Sequence, residues 1–262
     1  MRTLREMREA HLERDGAVVF YQVHGQVSTS VPLLLTHGFG SSTAMWDSNV
    51  DTLSLDRQVV TWDIRGHGRT VTEPDLRRFT HAACVGDMLA ILDACAFPRA
   101  AIGGLSLGGY LSLCFNLAHR KRVAALLLCD CGPGYRKREG RDRWNEYAES
   151  SAAALERDGA RSLPATAEAR LGAGDSDALA LAARGILVQH DSEVIDSLPL
   201  IGVPTLVLVG ERDAGFRKAA DYMVKHIPGA ELSVVVDAGH AANMDQPVAV
   251  NASLRAFLSG VN

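Results

Sequence analysis

The chain has no excess of charge of either sign. Its 262 residues carry 27 Lys and Arg against 31 Asp and Glu, a net charge of −4 with neutral histidines. That balance offers no footprint for a polyanion, and no nucleic acid is expected as a partner. Long apolar runs are missing as well. None reaches the ~20 residues that span a bilayer, so no membrane partner is expected. The first residues, Met1-Arg2-Thr3-Leu4-Arg5-Glu6-Met7-Arg8-Glu9, are densely charged and lack the apolar core of a secretory signal. Cysteines number five, odd and scattered. Cys129 and Cys131 stand two apart, too close to pair easily. The set reads as reduced thiols used as small buried hydrophobes, in a cytoplasmic protein. No Cys/His spacing suits a metal, and neither a metal nor an organic cofactor is expected. Repeats, low-complexity tracts and an interdomain linker are also absent. What remains is ordinary: 47% hydrophobic and 22% charged residues, enough for one large α/β domain or two small ones.

Apolar runs and helical spacing alternate along most of the chain. Glu9 to Gln22 reads as two strands around the Asp15-Gly16 turn signal. Leu33–Thr36, Val59–Trp62, Ala101-Ile102, Val123–Cys129, Thr205–Val209 and Leu232–Val236 read as further strands, several of them apolar on both faces. Between them lie expected helices: Met45–Leu55, His81–Ala96, Leu107–His119, Phe216–Ile227 and Val248–Leu258. In the second, Val85, Met88, Leu89 and Leu92 recur at helical spacing. Such alternation implies a mostly parallel sheet with helices on both faces, and ligands at the C-terminal strand ends. From Gly134 to Leu198 the strand signals stop. Trp144, Tyr147, Ala148, Ser151 and Leu155 suggest one helix face there. Leu179, Ala182, Ala183, Ile186 and Leu187 suggest another. The expected organisation is a core of residues 1–133 and 199–262, with 134–198 inserted as a helical cap over the strand ends.

Gly104-Leu105-Ser106-Leu107-Gly108 has the pattern G-x-S-x-G between a strand signal and a helix signal. The pattern alone arises often by chance. In that context it describes a sharp strand-to-helix turn that strains one serine and lifts it towards solvent, with small neighbours to avoid collision. Ser106 also stands at the positive end of the following helix. A nucleophilic serine needs a base, and the base an orienting carboxylate. Asp213 follows the Thr205–Val209 strand and His240 follows the Leu232–Val236 strand, in the chain order Ser…Asp…His. Asp213 read alone would be a turn or cap residue. Asp130, after the Val123–Cys129 strand, is its rival for the acid. Asp237 and Asp245 share the short loop of His240 and would point poorly at its ring.

An oxyanion needs two N–H donors. Leu107 supplies one by position. The loop His37-Gly38-Phe39-Gly40 offers the other, with Phe39 preferred and Gly38 as the alternative. Asp63-Ile64-Arg65-Gly66-His67-Gly68-Arg69 has no P-loop lysine or spacing. It reads as a bend tied down by Asp63 and Arg65.

At these residues the chain resembles the α/β-hydrolase superfamily. The resemblance rests on His37-Gly38-Phe39-Gly40, Asp63-x-Arg65-Gly66-His67-Gly68, Gly104-x-Ser106-x-Gly108-Gly109, Gly210-x-x-Asp213 and Gly239-His240. It implies an eight-stranded, mostly parallel sheet with a helical cap, the catalytic residues Ser106, Asp213 and His240, and oxyanion donors Phe39 and Leu107. Serine at the elbow argues against the relatives that dehalogenate or open epoxides, which use aspartate. The segment His240 to Pro247 is similar to that of small esterases and 3-oxoadipate enol-lactonases. Ala241 and Ala242 stand where hydrolases of carbon–carbon bonds often carry tryptophan. The expected activity is therefore a serine hydrolase acting on a small-molecule carboxylic ester. A lactone is the next choice. Behind it come a carbon–carbon bond hydrolase, a lyase or acyl transferase using the same residues, and a non-catalytic ligand-binding protein on this scaffold. Trp144, Tyr147 and Tyr135 are the expected pocket aromatics. The cluster Arg136, Lys137, Arg138, Arg141 and Arg143 reads first as a solvated helix end, because Glu139 and Asp142 interleave. Attraction of an anionic substrate is the alternative.

Overall fold

A computed structural model describes residues 7–163 and 174–261. Part of the expected 134–198 block therefore lies outside the described residues. Nine strands form one sheet. They are β1 (Met7–Arg14), β2 (Ala17–His24), β3 (Leu33–Thr36), β4 (Val59–Trp62), β5 (Val71–Thr72), β6 (Ala100–Leu105), β7 (Val123–Cys129), β8 (Thr205–Gly210) and β9 (Glu231–Val235). Their order is β1-β2-β4-β3-β6-β7-β8-β9, with the two-residue β5 paired to β2. From β4 to β9 along that order every pairing is parallel, while β2 pairs antiparallel with β1, β4 and β5. The expected count of eight omitted β5, whose two residues carry no readable alternation.

The helices are α1 (Asp47–Leu53), α2 (His81–Ala94), α3 (Leu107–His119), α4 (Arg138–Asp158), α5 (Ser176–Ala182), α6 (Glu193–Ser197), α7 (Ala214–His226), α8 (Ala242–Asp245) and α9 (Pro247–Leu258). They cover both faces because the central strands are apolar on both. Leu33 and Leu35 of β3 face a cluster with Trp46, Leu53, Val250 and Leu254. Leu34, one residue out of phase, faces a second cluster with Met88, Ile91, Leu111 and Phe115. The two-residue period of a strand distributes one apolar run between two cores. Among the described residues, no helix is long and apolar enough to cross a membrane.

The loop after β4 is tied down as expected. Asp63 accepts backbone N–H groups from Thr43 at 2.6 Å and Arg69 at 2.8 Å. Arg65, fully buried, grips the equally buried Asp87 of α2 through Nε at 2.6 Å and Nη2 at 2.8 Å. Its remaining N–H groups reach the carbonyls of Arg14, Asp15 and Arg78. One guanidinium thus joins the β1–β2 hairpin, the β4 loop and α2, and five donors satisfy the buried charge.

The described part of the segment between β7 and β8 contains helices joined by loops and no strand. In α4 the buried residues are Gly140, Ala148, Ala152 and Leu155. Leu179, Ala182, Ala183, Ile186 and Leu187 are all buried, α5 running on into a π-helical turn over Ala183–Leu187. The first expected face is rotated. Tyr147 is 54% exposed on the outer side of α4. It stands about 100° around the helix from Ala148, off the buried stripe.

Candidate active site

Ser106 occupies the turn between β6 and α3 with φ +55° and ψ −115°, a conformation that L-residues rarely adopt. Three close packings impose it. A Cβ on Gly104 would lie 2.6 Å from the carbonyl oxygen of Thr36. One on Gly108 would collide with that same carbonyl, and one on Gly109 with the Cys131 side chain. The backbone of α3 therefore starts directly against β3 and the end of β7. Only glycines allow that approach. The turn presents a half-buried Ser106 at the C-terminal edge of the sheet.

The loops after β8 and β9 arrive at the same edge, held together by their backbones. Glu211 and Arg212 donate N–H groups to the carbonyls of Val235 and Ala238. Asp213, 7% exposed, divides its carboxylate between two tasks. Oδ1 accepts the N–H of Phe216 at 3.3 Å and caps α7. Oδ2 lies 2.7 Å from Nδ1 of His240. One carboxylate thus both caps α7 and contacts the imidazole. With the Nδ1 proton donated to Asp213, the lone pair of the neutral ring sits on Nε2. The Phe216 ring stacks on His240, centroids 4.9 Å apart and 23° from parallel.

The rival carboxylates are engaged elsewhere. Asp245 accepts the N–H of Gly239 at 2.7 Å, and Asp237 pairs with Arg212. Asp130 is buried, also at positive φ (+43°), and accepts the N–H of Gly210 at 2.7 Å. It ties the end of β7 to the end of β8 rather than holding the imidazole. Burial pushes its carboxyl up to about 7, opposed by the Gly210 N–H and by His240.

The loop after β3 is set by a histidine whose contacts the sequence did not disclose. His37 is fully buried, and desolvation lowers its pKa to about 4. Its Nε2 accepts the N–H of Ile64 at 3.0 Å, so Nδ1 carries the proton and donates to the Gly38 carbonyl at 2.7 Å. Gly38 C=O and Phe39 N–H belong to one trans peptide and point in opposite directions. Holding the carbonyl therefore aims the Phe39 N–H the other way. Gly38 lies beside the elbow: a Cβ there would sit 3.5 Å from Cβ of Ser106. Leu107 opens α3, where the first N–H groups have no intrahelical acceptor.

A cavity of about 810 Å³ opens from Ser106 and Leu107. Tyr135 and Trp144 line it, together with Tyr110, Leu187, Phe216 and Tyr222. Tyr147 does not, because its ring turns outward and packs on Trp144 at 5.4 Å. The Trp144 indole donates to the Leu187 carbonyl at 2.7 Å, joining α4 to the π-helical turn. Arg136, Lys137 and Arg143 also line the cavity while remaining exposed to solvent. Among the described residues no group of His, Cys, Asp and Glu is arranged to hold a metal ion.

The chain is similar to several known proteins. The 3-oxoadipate enol-lactonase 1 of Acinetobacter baylyi is 26% identical over 256 residues, covering 89% of this chain and 90% of the relative. The structure of a thermophilic esterase from Thermogutta terrifontis superposes with a TM-score of 0.81 at 26% identity, covering 98% of each chain. An enol-lactonase from Burkholderia xenovorans shares the fold at a TM-score of 0.77 and 22% identity, over 95% of this chain and all of that one. The model of the alpha/beta hydrolase family matches residues 33–253. The chain belongs to the alpha/beta hydrolase family.

Proposed function

We propose that this chain is a serine hydrolase that cleaves carboxylic esters through an acyl-enzyme. One observation carries the reading: the 2.7 Å contact of His240 with Asp213 at the same strand edge as the strained Ser106. In this scheme Nε2 of His240 takes the proton of Ser106 Oγ as the oxygen attacks the ester carbonyl. Asp213 holds the ring and stabilises the imidazolium. The N–H groups of Phe39 and Leu107 receive the oxyanion, each worth about 3 kcal/mol in the transition state. The imidazolium then protonates the departing alcohol. Water repeats the cycle on the acyl-enzyme, releasing the acid and restoring Ser106. No step draws on a metal or an organic cofactor.

The helices of residues 134–198 act as a cap. Through Tyr135 and Trp144 they place an apolar wall against the acyl part of the substrate. The likeness to an enol-lactonase along 89% of the chain favours a lactone as the second substrate class. The same attack on a cyclic ester leaves the alcohol attached to the acyl group.

The test is hydrolysis of short p-nitrophenyl esters by the native protein and by Ser106→Ala, with fluorophosphonate labelling alongside. The substitution is expected to lower turnover by a factor of about 10⁴ or more and to abolish labelling. Labelling of the native protein at another residue, or turnover that survives the substitution, would overturn the reading.

A further inference from the structure

Arg136, Lys137, Arg138 and Arg143 at the start of α4 are all exposed, but they differ in their partners. Arg138 pairs with Asp142 at 3.6 Å, and Arg136 with Asp196 at 2.7 Å. Arg141 gives its guanidinium to the carbonyls of Tyr135 and Arg136. Lys137, Arg143 and, from α7, Lys218 have no carboxylate within ion-pair reach among the described residues. All three line the cavity that begins at Ser106. Glu139 is the one acidic side chain in the lining, and it pairs with none of them.

The placement of these cations is unfavourable in the empty protein. The N-terminus of a helix carries partial positive charge, and acidic residues suit its first turn. Here a 21-residue helix begins with Lys137 as its N-cap, without a side-chain hydrogen bond to the free N–H groups, and Arg138 precedes the one first-turn acid, Glu139. A second helix, α7, brings its own N-terminal turn, Gly215 and Phe216, into the same lining. The end of α4 and three unpaired cations thus converge on one rim of a cavity whose walls, Tyr110, Leu187 and Ile195, are mostly apolar, while the α7 end is already capped by Asp213. An anion there offsets the mutual repulsion of the three cations, and the apolar walls belong to the cavity that Ser106 also lines.

We infer that the substrate is an ester or lactone whose acyl part ends in a carboxylate, received by Lys137, Arg143 and Lys218. The inference rests on the proposed hydrolase reading and names its substrate class. The product of turnover would be a dicarboxylic acid.

The experiment compares p-nitrophenyl hydrogen glutarate with the neutral p-nitrophenyl pentanoate. The native protein is expected to favour the anionic ester in kcat/KM. That preference should shrink between about 50 mM and about 500 mM salt, as exposed charges are screened. In a variant combining Lys137→Gln, Arg143→Gln and Lys218→Gln, it should fall roughly tenfold, mainly through KM, three exposed pairs each contributing a little. The charge-keeping set Lys137→Arg, Arg143→Lys and Lys218→Arg should retain it. A native protein that favours the neutral ester, or a preference that survives the glutamine set, overturns the inference.

Calorimetric titration of Ser106→Ala with hexanoate and with hexanamide reads the same site without turnover. If no ester is cleaved, the hydrolase reading fails. Hexanoate binding tighter than hexanamide, in a manner lost with the three cations, then upholds the anion site by itself. Equal binding of the two removes it.

Discussion

Ser106 is held in a conformation that costs about 1–3 kcal/mol, maintained by the packing of β3, β6 and α3 around it. Glycine would occupy the same angles without strain. It would also give the unfolded chain more freedom, worth roughly 0.5–1 kcal/mol against folding. Ser106→Gly is therefore expected to raise the stability by about 1 kcal/mol net while removing turnover. Denaturant melts of the two proteins check it, and a destabilised glycine variant would show that the turn is unstrained. Individual residues differed in how readable they were. Gly104, Ser106 and Gly108 announce themselves because the turn tolerates few residue types. Asp213 was readable only in combination, since the carboxylate that caps α7 is the one that holds His240. The latch formed by His37 carried no signal of its own. Its neutral tautomer is set by the N–H of Ile64, a contact made only when β3 and β4 lie side by side.

Among the elements, the seam between β7 and β8 has a titratable tie. Asp130 joins the two strand ends through Gly210, and burial raises its carboxyl from 3.8 to about 7. The folded state then holds a proton that the unfolded state has already released. The contribution of this group to stability is complete below about pH 3.8 and is lost as pH rises through about 7. Asp130→Asn keeps an oxygen for Gly210 and removes the titration. It is expected to flatten the fall in stability across that window, measured by thermal melts at a series of pH values. An unaltered slope would place the proton elsewhere. Most central elements were legible within about two residues, because a strand apolar on both faces or a helix of more than ten residues leaves a strong pattern; β6, expected over Ala101-Ile102, runs on through two glycines to Leu105. Helix α4 was legible as a helix but not in rotation. Apart from Leu155 its buried stripe is made of Gly140, Ala148 and Ala152, small residues that hydrophobicity barely marks, while the conspicuous Tyr147 lies outside it. The role of Lys218 was hidden for another reason. It belongs to α7, and only tertiary packing brings it opposite α4.

Across the whole molecule, the site draws on loops after β3, β6, β8 and β9, so it exists only when the sheet is complete. These strands are not equally secure. β3 and β6 have partners on both sides, whereas β9 closes the order, pairs only with β8, and exposes Leu232 and Val234. The loop of His240 hangs from the edge strand among these four, and that of Ser106 from a strand paired on both sides. Trp46 and Trp62, both fully buried, sit in the central region. Detachment of β9 alone would leave Trp62 undisturbed, because its cluster holds no residue of β9, whereas that of Trp46 includes Val235. In rising urea, hydrolysis is therefore expected to disappear at a lower concentration than the tryptophan fluorescence change, as local opening precedes global unfolding. Coincident transitions would mean that β9 opens only with the rest. The same asymmetry has a consequence during synthesis. The elbow can form once β7 has emerged, but the loop of His240 follows more than a hundred residues later, on the order of ten seconds at ribosomal speed. Through that interval the nascent chain would hold a serine without a base, so reactivity is withheld until the sheet has gained its outermost strand.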